Sequence, residues 1–274
     1  MKNEEINQEK KYDVANTVVN ISDTTTPIVI PFGPASAGKT MVLLRMIRYF
    51  DSIGYKFKPD RLFRPGDDIK YQNLCDEFSN ERPFADYTPG GNADIDFLLV
   101  TIRNERGRSL FQFLEAPCEH FFDGQQVKND FPPYIENIIG QNTPKTWLVL
   151  LQLDWGNSQS VRNMYKQQIL VLKAKMQPDD RIVFLFNKAD NRPDLFDNSK
   201  PDMDLFIREI NNQYPNLLNQ FAVKGFLNKM IFGNVPTLCF SAGGFSKNSM
   251  TGKEMWICKP QDDWYCEELL KVLK

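Results

Sequence analysis

Cysteine is scarce in this chain and never occurs in the C-x-x-C pattern. The odd count of five indicates reduced thiols in a cytosolic setting and gives no support for a zinc site. An excess of charge of one sign is also missing, since 33 lysines and arginines stand against 35 aspartates and glutamates, a formal net charge of −2. Because no overall field attracts nucleic acid, we expect no nucleic-acid partner.

Long hydrophobic runs are absent as well. A stretch such as Trp147 to Leu151 has the length of a strand and is too short to span a bilayer. Residues 1–11 are polar and contain no apolar signal core, so we expect a cytoplasmic protein without a membrane span. The chain is nevertheless 42% hydrophobic and 12% aromatic, which argues against disorder and suits one large domain with insertions.

Residues 33–40 form the most informative motif of the chain. They read Gly-Pro-Ala-Ser-Ala-Gly-Lys-Thr, a match to G-x-x-x-x-G-K-[ST], between an apolar run at 28–32 and a helical pattern at 41–50. A strand before the loop and a helix after it are the context in which this motif binds phosphate. The alternative is a glycine-rich turn that matches by chance.

Each residue type in this loop has a chemical reason. Gly33 and Gly38 allow the backbone to bend so that its N–H groups point inward, and the next helix directs its positive end at the same point. Lys39 would reach the terminal phosphates as a point charge, and the Thr40 hydroxyl would hold a Mg²⁺ ion. Between the glycines, further backbone contacts to the phosphates are expected from Ala35, Ser36 and Ala37.

A second motif indicates which nucleotide is bound. An apolar strand that begins at residue 181 ends in Asn187-Lys188-x-Asp190. The carboxylate of Asp190 can accept two parallel hydrogen bonds from the N1–H and the exocyclic amine of guanine, a donor pair that adenine lacks. Asn187 can brace the phosphate loop, and the stem of Lys188 can lie over the base. Alone, so short a motif more often marks a solvated turn at a strand end; behind a phosphate loop, base binding is favoured.

In this order, the motifs resemble those of the GTPase superfamily, that is, of Ras-like and translation-factor-like G domains. Val235 to Phe240 has the pattern of another buried strand, and the Ser241-Ala242 that follows resembles the family's Ser-Ala turn, whose alanine N–H meets the guanine carbonyl oxygen. Residues 109–119 lie where the family has a strand that runs into Asp-x-x-Gly. At the level of subfamily, the long insertions and the altered Asp-x-x-Gly motif resemble bacterial GTPases of conflict and defence systems.

The resemblance implies an α/β fold, a three-layer P-loop NTPase sandwich with a mostly parallel six-stranded sheet and one antiparallel edge strand. Alternating apolar strands and helical patterns agree with it, and a hairpin at 94–114 would supply the antiparallel strand. Residues 1–26 are polar and are expected to form a flexible N-terminal tail. The G domain would then span 27–274, with insertions at about 51–93 and 191–234. The resemblance further implies GTP or GDP and Mg²⁺ as cofactors, and a protein effector or activator as partner.

Four positions match switch and catalytic positions of the family, three of them with a changed residue. Thr88, which follows a tyrosine and precedes Pro-Gly-Gly, matches the switch threonine that closes on Mg²⁺ and the γ-phosphate; the alternative is a plain turn threonine. Glu115 takes the place of the aspartate that contacts Mg²⁺ through water. Cys118 replaces the glycine whose N–H contacts the γ-phosphate, and Glu119 replaces the residue that orients the attacking water. His120, the single histidine, lies one position further along and could orient water or simply open a helix.

These residues favour a Mg²⁺-dependent GTPase that acts as a molecular switch or regulator, with in-line attack of water on the γ-phosphate and slow hydrolysis without a partner. Catalytic roles would fall to Lys39, Thr88 and Glu119, and metal binding to Thr40, Thr88 and Glu115. A second interpretation is a GTP- or GDP-binding module that does not hydrolyse, because the altered switch positions put catalysis in doubt. A third is an ATP-dependent small-molecule kinase, which would leave the Asn-Lys-x-Asp motif unexplained.

Overall fold

The structure of the protein is a computed structural model that describes residues 17–80, 97–152, 159–197, 200–222, 235–248, 255–259 and 262–274. The strands are β1 (Ile28–Phe32), β2 (Lys56–Pro59), β3 (Leu98–Arg103), β4 (Ser109–Glu115), β5 (Lys145–Leu151), β6 (Arg181–Phe186), β7 (Phe196–Asp197), β8 (Lys200–Pro201), β9 (Thr237–Cys239), β10 (Gly244–Asn248) and β11 (Met255–Lys259). The helices are α1 (Lys39–Ser52), α2 (Ile69–Asn80), α3 (Cys118–Phe121), α4 (Pro133–Gly140), α5 (Gln159–Lys175), α6 (Met203–Gln213), α7 (Leu217–Phe221) and α8 (Trp264–Leu273).

The main sheet is mixed and mostly parallel. Its strands lie in the order β2-β3-β4-β1-β5-β6-β9. From β4 to β9 all neighbours are parallel, whereas β3 runs antiparallel to both of its neighbours. The α/β class and the mostly parallel sheet predicted from the sequence are therefore confirmed. Because the carboxyl ends of parallel strands meet at one edge of a sheet, the loops after β1, β4, β5, β6 and β9 converge there.

In the part of the chain that the structure describes, the sheet has seven strands, one more than the six predicted. The additional strand is β2, which pairs with β3 so that Lys56 lies opposite Arg103. As a result, the antiparallel strand β3 lies inside the sheet, although the sequence predicted it at the edge. β2 has only four residues, Lys-Phe-Lys-Pro, a pattern too short to distinguish from a loop by periodicity. The proline that ends it is typical of an edge strand.

Helices cover both faces of the sheet. The register of β1 against β4 puts Phe32 and Phe111 on opposite faces. The ring of Phe50 in α1 packs on Phe111 with 5.8 Å between centroids, and the ring of Tyr165 in α5 stacks on Phe32 at 6.1 Å. Because α1 and α5 lie on opposite faces, the structure has the predicted three layers.

The centre of the sheet is buried on both faces. Every residue of β1 and β5 is buried, and so is all of β6 after its first arginine. Apolar runs without alternation are typical of parallel strands that helices cover on both sides. The loops at the carboxyl edge therefore start from the most rigid part of the molecule.

Residues 17–26, predicted as part of a flexible tail, pack on the domain. From residue 17 to 21 buried and exposed residues alternate, and the buried ones include Val19 and Ile21. The Nε2 of Gln112 in β4 donates to two backbone carbonyls of this segment, at 2.8 and 2.9 Å. The prediction of a tail does not hold for this segment, because most of its few apolar residues are turned inward. Residues 1–16 lie outside the described part.

The two regions predicted as insertions contain regular elements. Within 51–93 the described part has β2 and α2, and within 191–234 it has the β7–β8 pair, α6 and α7. Further along, β10 and β11 pair antiparallel to each other. The division into a G domain with insertions stays a prediction. In the ranges that the structure describes, no helix combines the length and the apolar character needed to cross a membrane.

Candidate functional site

The loop at 33–40 joins β1 to α1 at the carboxyl edge of the sheet. Ser36 and Gly38 have left-handed backbone conformations, with φ of 61° and 84°. A Cβ added at Gly38 would lie 2.4 Å from Nδ2 of Asn187, closer than real Cβ atoms approach, so only glycine fits there. Among the described residues, no side chain caps the N-terminus of α1 and no acidic residue lies in its first turn. The positive end of α1 is therefore directed at the loop, as anion binding requires.

Lys39 is almost completely buried, with 6% of its surface exposed. Its ammonium group donates to the carbonyl oxygens of Gly33 at 2.9 Å and Pro34 at 3.1 Å. Burial lowers the pKa of Lys39, while three nearby acidic groups act in the opposite direction. A buried cation that donates to neutral carbonyls would gain from a charged hydrogen-bond acceptor, because charge-assisted hydrogen bonds are the stronger ones.

Thr40 and Glu115, both predicted to bind metal, contact each other directly. Oγ1 of Thr40 donates to Oε1 of Glu115 at 2.6 Å, across 75 residues of sequence, and Glu115 is buried at the end of β4. They meet because β1 and β4 are neighbours in the sheet. A hydroxyl and a carboxylate supply oxygen ligands of the kind that Mg²⁺ prefers, so these residues fit a magnesium ion. Thr88, the third predicted ligand, lies outside the described residues.

Two buried amides hold the loop from the neighbouring strand ends. Asn187, after β6, donates its Nδ2 to the carbonyl of Ala37 at 2.7 Å, the bracing contact expected from the sequence. Gln152, after β5, donates its Nε2 to the carbonyl of Ser36, also at 2.7 Å. Sequence reasoning missed Gln152. The only signal for it was a glutamine that interrupts the apolar run of β5 at the strand end.

Asp190 and Ser241 meet beside this loop. Oγ of Ser241 donates to Oδ1 of Asp190 at 2.7 Å, and Ala242, the next residue, is buried. The two segments adjoin because β6 and β9 are neighbours, and a backbone hydrogen bond of 3.0 Å from Ala189 to Phe240 connects them. Asp190 itself is exposed at the edge of the sheet. The structure thus brings together the two segments that the sequence predicts around the guanine base.

The turn that carries Lys188 has a strained backbone. Lys188 has φ of 59°, a left-handed conformation that residues with a Cβ seldom adopt. The turn is held by a hydrogen bond from the Asn187 N–H to the carbonyl of Leu151, at 3.1 Å. Such conformations persist only where the surroundings enforce them, and they cluster at ligand sites. The surroundings thus hold the turn in one conformation at the end of β6.

The segment after β4 forms the short helix α3, which begins at Cys118. The thiol of Cys118 donates to Oε2 of Glu119 at 3.1 Å. Burial raises the pKa of this thiol, although the Lys39 charge acts to lower it. Burial also acts to raise the pKa of Glu119, but hydrogen bonds to its carboxylate outweigh that effect, and the pKa lies below the ordinary value. Glu119 is therefore an ionised carboxylate at neutral pH, directed at the thiol.

His120 is anchored to α4. Its Nδ1 lies 2.8 Å from the hydroxyl of Tyr134, and the two rings pack with 5.6 Å between centroids. Tyr134 is buried. This contact with the interior favours a structural role for His120 over a role in orienting water.

The predicted site residues of the described part lie along one edge of the sheet, where the loops after β1, β4, β6 and β9 meet. Crevices at the carboxyl ends of parallel strands are the usual ligand sites of α/β folds. These residues are Gly33, Ala35, Ser36, Ala37, Gly38, Lys39, Thr40, Glu115, Glu119, Asn187, Lys188, Asp190, Ser241 and Ala242.

No family model matches the chain, and no curated protein matches it. Its fold is similar to that of GTP-binding proteins. A nucleolar GTP-binding protein 1 from Plasmodium falciparum is 12% identical, with a TM-score of 0.40 over 82% of this chain and 81% of that one. A chain of the complex of the signal recognition particle receptor SRb with GTP and SRX, from Chaetomium thermophilum, is 15% identical, with a TM-score of 0.36 over 81% of this chain and 93% of that one. At this level of similarity, what the chain binds has to follow from its own residues.

Proposed function

We propose that this protein binds GTP with Mg²⁺, hydrolyses it to GDP and phosphate, and acts as a molecular switch or regulator. The observation that carries the proposal is the hydrogen bond from Asn187 to the carbonyl of Ala37. It joins the segment that would recognise guanine to the loop that would hold the phosphates, so that one ligand can span both. Parallel strands bring the two loops to the same edge of the sheet, but a chance match would not require a buried amide of one motif to donate to the backbone of the other.

The charges of the loop support binding of a nucleoside triphosphate. Lys39 places a buried ammonium group within the loop, and the N-terminus of α1 adds its dipole. A cation whose pKa is lowered by burial gains from a nearby anion, because the anion replaces the favourable interactions that water no longer supplies. We infer that Lys39 contacts the terminal phosphates and that the backbone N–H groups of the loop contact the others.

The pair of Asp190 and Ser241 supports guanine over adenine. The Ser241 hydroxyl orients the carboxylate by donating to one of its oxygens. Guanine would give that carboxylate two donors, whereas adenine would leave it without them, which costs binding free energy. The Ala242 N–H is proposed to meet the guanine carbonyl oxygen, and Lys188 to cover the base.

Thr40 and Glu115 are the residues that would hold Mg²⁺, with Thr88 proposed as a further ligand from the switch segment. The ion would neutralise charge on the phosphates during transfer. Glu115 is one methylene longer than aspartate, and its carboxylate reaches the Thr40 hydroxyl directly. The two side chains thus keep each other in place.

Hydrolysis is proposed as in-line attack of water on the γ-phosphate, with Lys39 stabilising charge on the phosphate oxygens. Glu119 would have to orient the water. An ionised carboxylate close to the γ-phosphate repels it, so we expect slow turnover by the protein alone. A protein activator or effector is the partner that we propose for a switch of this kind.

A GTP- or GDP-binding module without hydrolysis is the second candidate. The hydrogen bond between Cys118 and Glu119 favours it, because one oxygen of the carboxylate is then engaged by a thiol. A side chain at position 118 also restricts the backbone, where glycine would leave it free to move.

Isothermal titration with GTP, GDP and ATP, with and without Mg²⁺, tests the proposal together with a phosphate-release assay. Binding of GTP with turnover supports a GTPase. Binding of GTP without turnover supports the second candidate. Preference for ATP would contradict both and would favour a small-molecule kinase.

A further inference from the structure

Gln152 contacts the candidate site without belonging to any of the motifs that define it. It follows Leu151, the last residue of β5, and only 4% of its surface is exposed. Its Nε2 donates to the carbonyl of Ser36 at 2.7 Å, across 116 residues of sequence. A buried amide needs a partner, because an unpaired buried donor costs free energy. Here the partner is a backbone carbonyl of the phosphate loop.

The carbonyl that Gln152 holds belongs to a residue in an unfavourable conformation. Ser36 has φ of 61° although it carries a Cβ, and Gly38 follows with φ of 84°. Left-handed residues of this kind curve a loop into a concave nest of N–H groups. For a residue with a Cβ, the conformation persists only where the surroundings enforce it. Gln152 supplies such a constraint at Ser36.

Gln152 and Asn187 act on consecutive peptide units of the loop. Asn187 holds the carbonyl of Ala37 and Gln152 holds that of Ser36, both at 2.7 Å. In a trans peptide the carbonyl and the following N–H point in opposite directions. An anchored Ala37 carbonyl therefore turns the Gly38 N–H to the other side, where a phosphate would lie. Gln152 fixes the preceding peptide unit, whose N–H, that of Ala37, closes the loop by donating to the carbonyl of Pro34 at 3.2 Å. Both anchors come from adjacent strand ends in the rigid centre of the sheet.

We propose that Gln152 is a positioning residue that holds the phosphate loop in its binding conformation. It acts through Ser36 and touches no reacting group. The inference rests on the proposed function, since it concerns how residues 33–40 bind the phosphates of a nucleotide. It adds to the motif residue Asn187 a second anchor that no motif of the chain contains.

The test replaces Gln152 by methionine, which keeps the length of the side chain and removes the amide donor. Gln112→Met is the matched control, because Gln112 is also buried and donates its Nε2 to backbone carbonyls, those of Asp23 and Thr26. Isothermal titration of the full chain with GTP and with GDP measures affinity, and thermal denaturation measures stability.

We expect Gln152→Met to weaken the binding of both nucleotides roughly five- to tenfold, the worth of one buried hydrogen bond. KM should rise while kcat changes less, since an interaction common to ground state and transition state is lost. Gln112→Met should lower the melting temperature about as much as Gln152→Met does, yet change nucleotide affinity less than about twofold.

The inference would be overturned if the nucleotide affinity of Gln152→Met stayed within about twofold of that of the unchanged protein. Equal losses of nucleotide affinity in Gln152→Met and Gln112→Met would overturn it as well. A second readout is amide hydrogen exchange of residues 33–40 without nucleotide. Faster exchange in Gln152→Met alone supports the inference, and equal exchange in both variants contradicts it. If the unchanged protein binds neither GTP nor GDP, the proposed function fails, while the exchange comparison still decides the role of Gln152.

Discussion

Replacing Gly38 by alanine should weaken both the folded state and the binding of GTP. The new Cβ would stand on a backbone with φ of 84°, 2.4 Å from Nδ2 of Asn187. The left-handed conformation costs a residue with a Cβ about 1–2 kcal/mol. The Asn187 amide must also move, and loss of its hydrogen bond to the Ala37 carbonyl costs about 1–3 kcal/mol more. We therefore expect the free energy of unfolding to fall by about 2–5 kcal/mol.

Gly107 provides a matched control for this substitution. It has φ of 78°, almost the same backbone conformation, but a Cβ added there would meet nothing within 4 Å among the described residues. Gly107→Ala should therefore cost only the conformational part, about 1–2 kcal/mol. Urea denaturation followed by tryptophan fluorescence measures both losses, and isothermal titration measures GTP affinity. In an Asn187→Ala background, Gly38→Ala should cost no more than Gly107→Ala, since the clashing amide is gone.

Equal losses of stability in Gly38→Ala and Gly107→Ala would refute this reasoning, because the contact with Asn187 would then contribute nothing. Unchanged GTP affinity in Gly38→Ala would refute the link between the loop conformation and phosphate binding. An undiminished extra cost of Gly38→Ala in the Asn187→Ala background would show that some other contact is responsible.

Three further substitutions test the charges of the site. Lys39→Ala should abolish triphosphate binding in titration because the buried cation is lost, whereas Lys70→Ala, at an exposed position of α2, should bind like the unchanged protein. Asp190→Asn should shift the base preference from guanine to xanthine, since an amide presents a donor where the carboxylate presented an acceptor. Unchanged GTP affinity in this variant would contradict the assignment of the base. The folded-state pKa of Glu119 lies below 4.5. The ionised Glu119 carboxylate therefore stabilises the folded protein above pH 4.5, and this contribution is lost as the pH falls through the folded-state pKa. Glu119→Gln should therefore flatten the acid side of the curve of stability against pH, measured by thermal denaturation. Identical slopes of this curve in the variant and the unchanged protein would contradict the low pKa of Glu119.

The parts of the fold that could be predicted are those with strong local signals. The stretch 28–50 combines an apolar run, two glycines and helical periodicity, and the structure has β1, the loop and α1 there. The β3–β4 hairpin likewise follows from a turn sequence between two apolar strands. By contrast, β2 has four residues, and 17–26 buries only some of its side chains, so neither differs from a polar loop by its pattern.

The candidate site divides in the same way. Lys39 and Asp190 carry their chemistry in their own residue type and in the spacing of a motif, so the sequence alone suffices to propose roles for them. Gln152 is a single polar residue without a motif around it, and nothing in its neighbours indicates that Ser36 is its partner. The low pKa of Glu119 could not be predicted either, because it depends on hydrogen bonds that form only in the folded chain.

The order of the amino acids is sufficient for the charge balance, the alternation of strands and helices, and the chemistry of the phosphate loop, since all of these depend on adjacent residues. Which distant residues contact that loop depends on the sheet, whose strand order β4-β1-β5-β6-β9 differs from the order of the chain. Glu115, Gln152 and Asn187 reach the loop only because the strands that carry them become neighbours of β1, or of one another, when the sheet forms. Long-range hydrogen bonds of this kind leave no periodic trace in the sequence, so a partner that lies outside every motif, as Gln152 does, becomes known only from the folded chain.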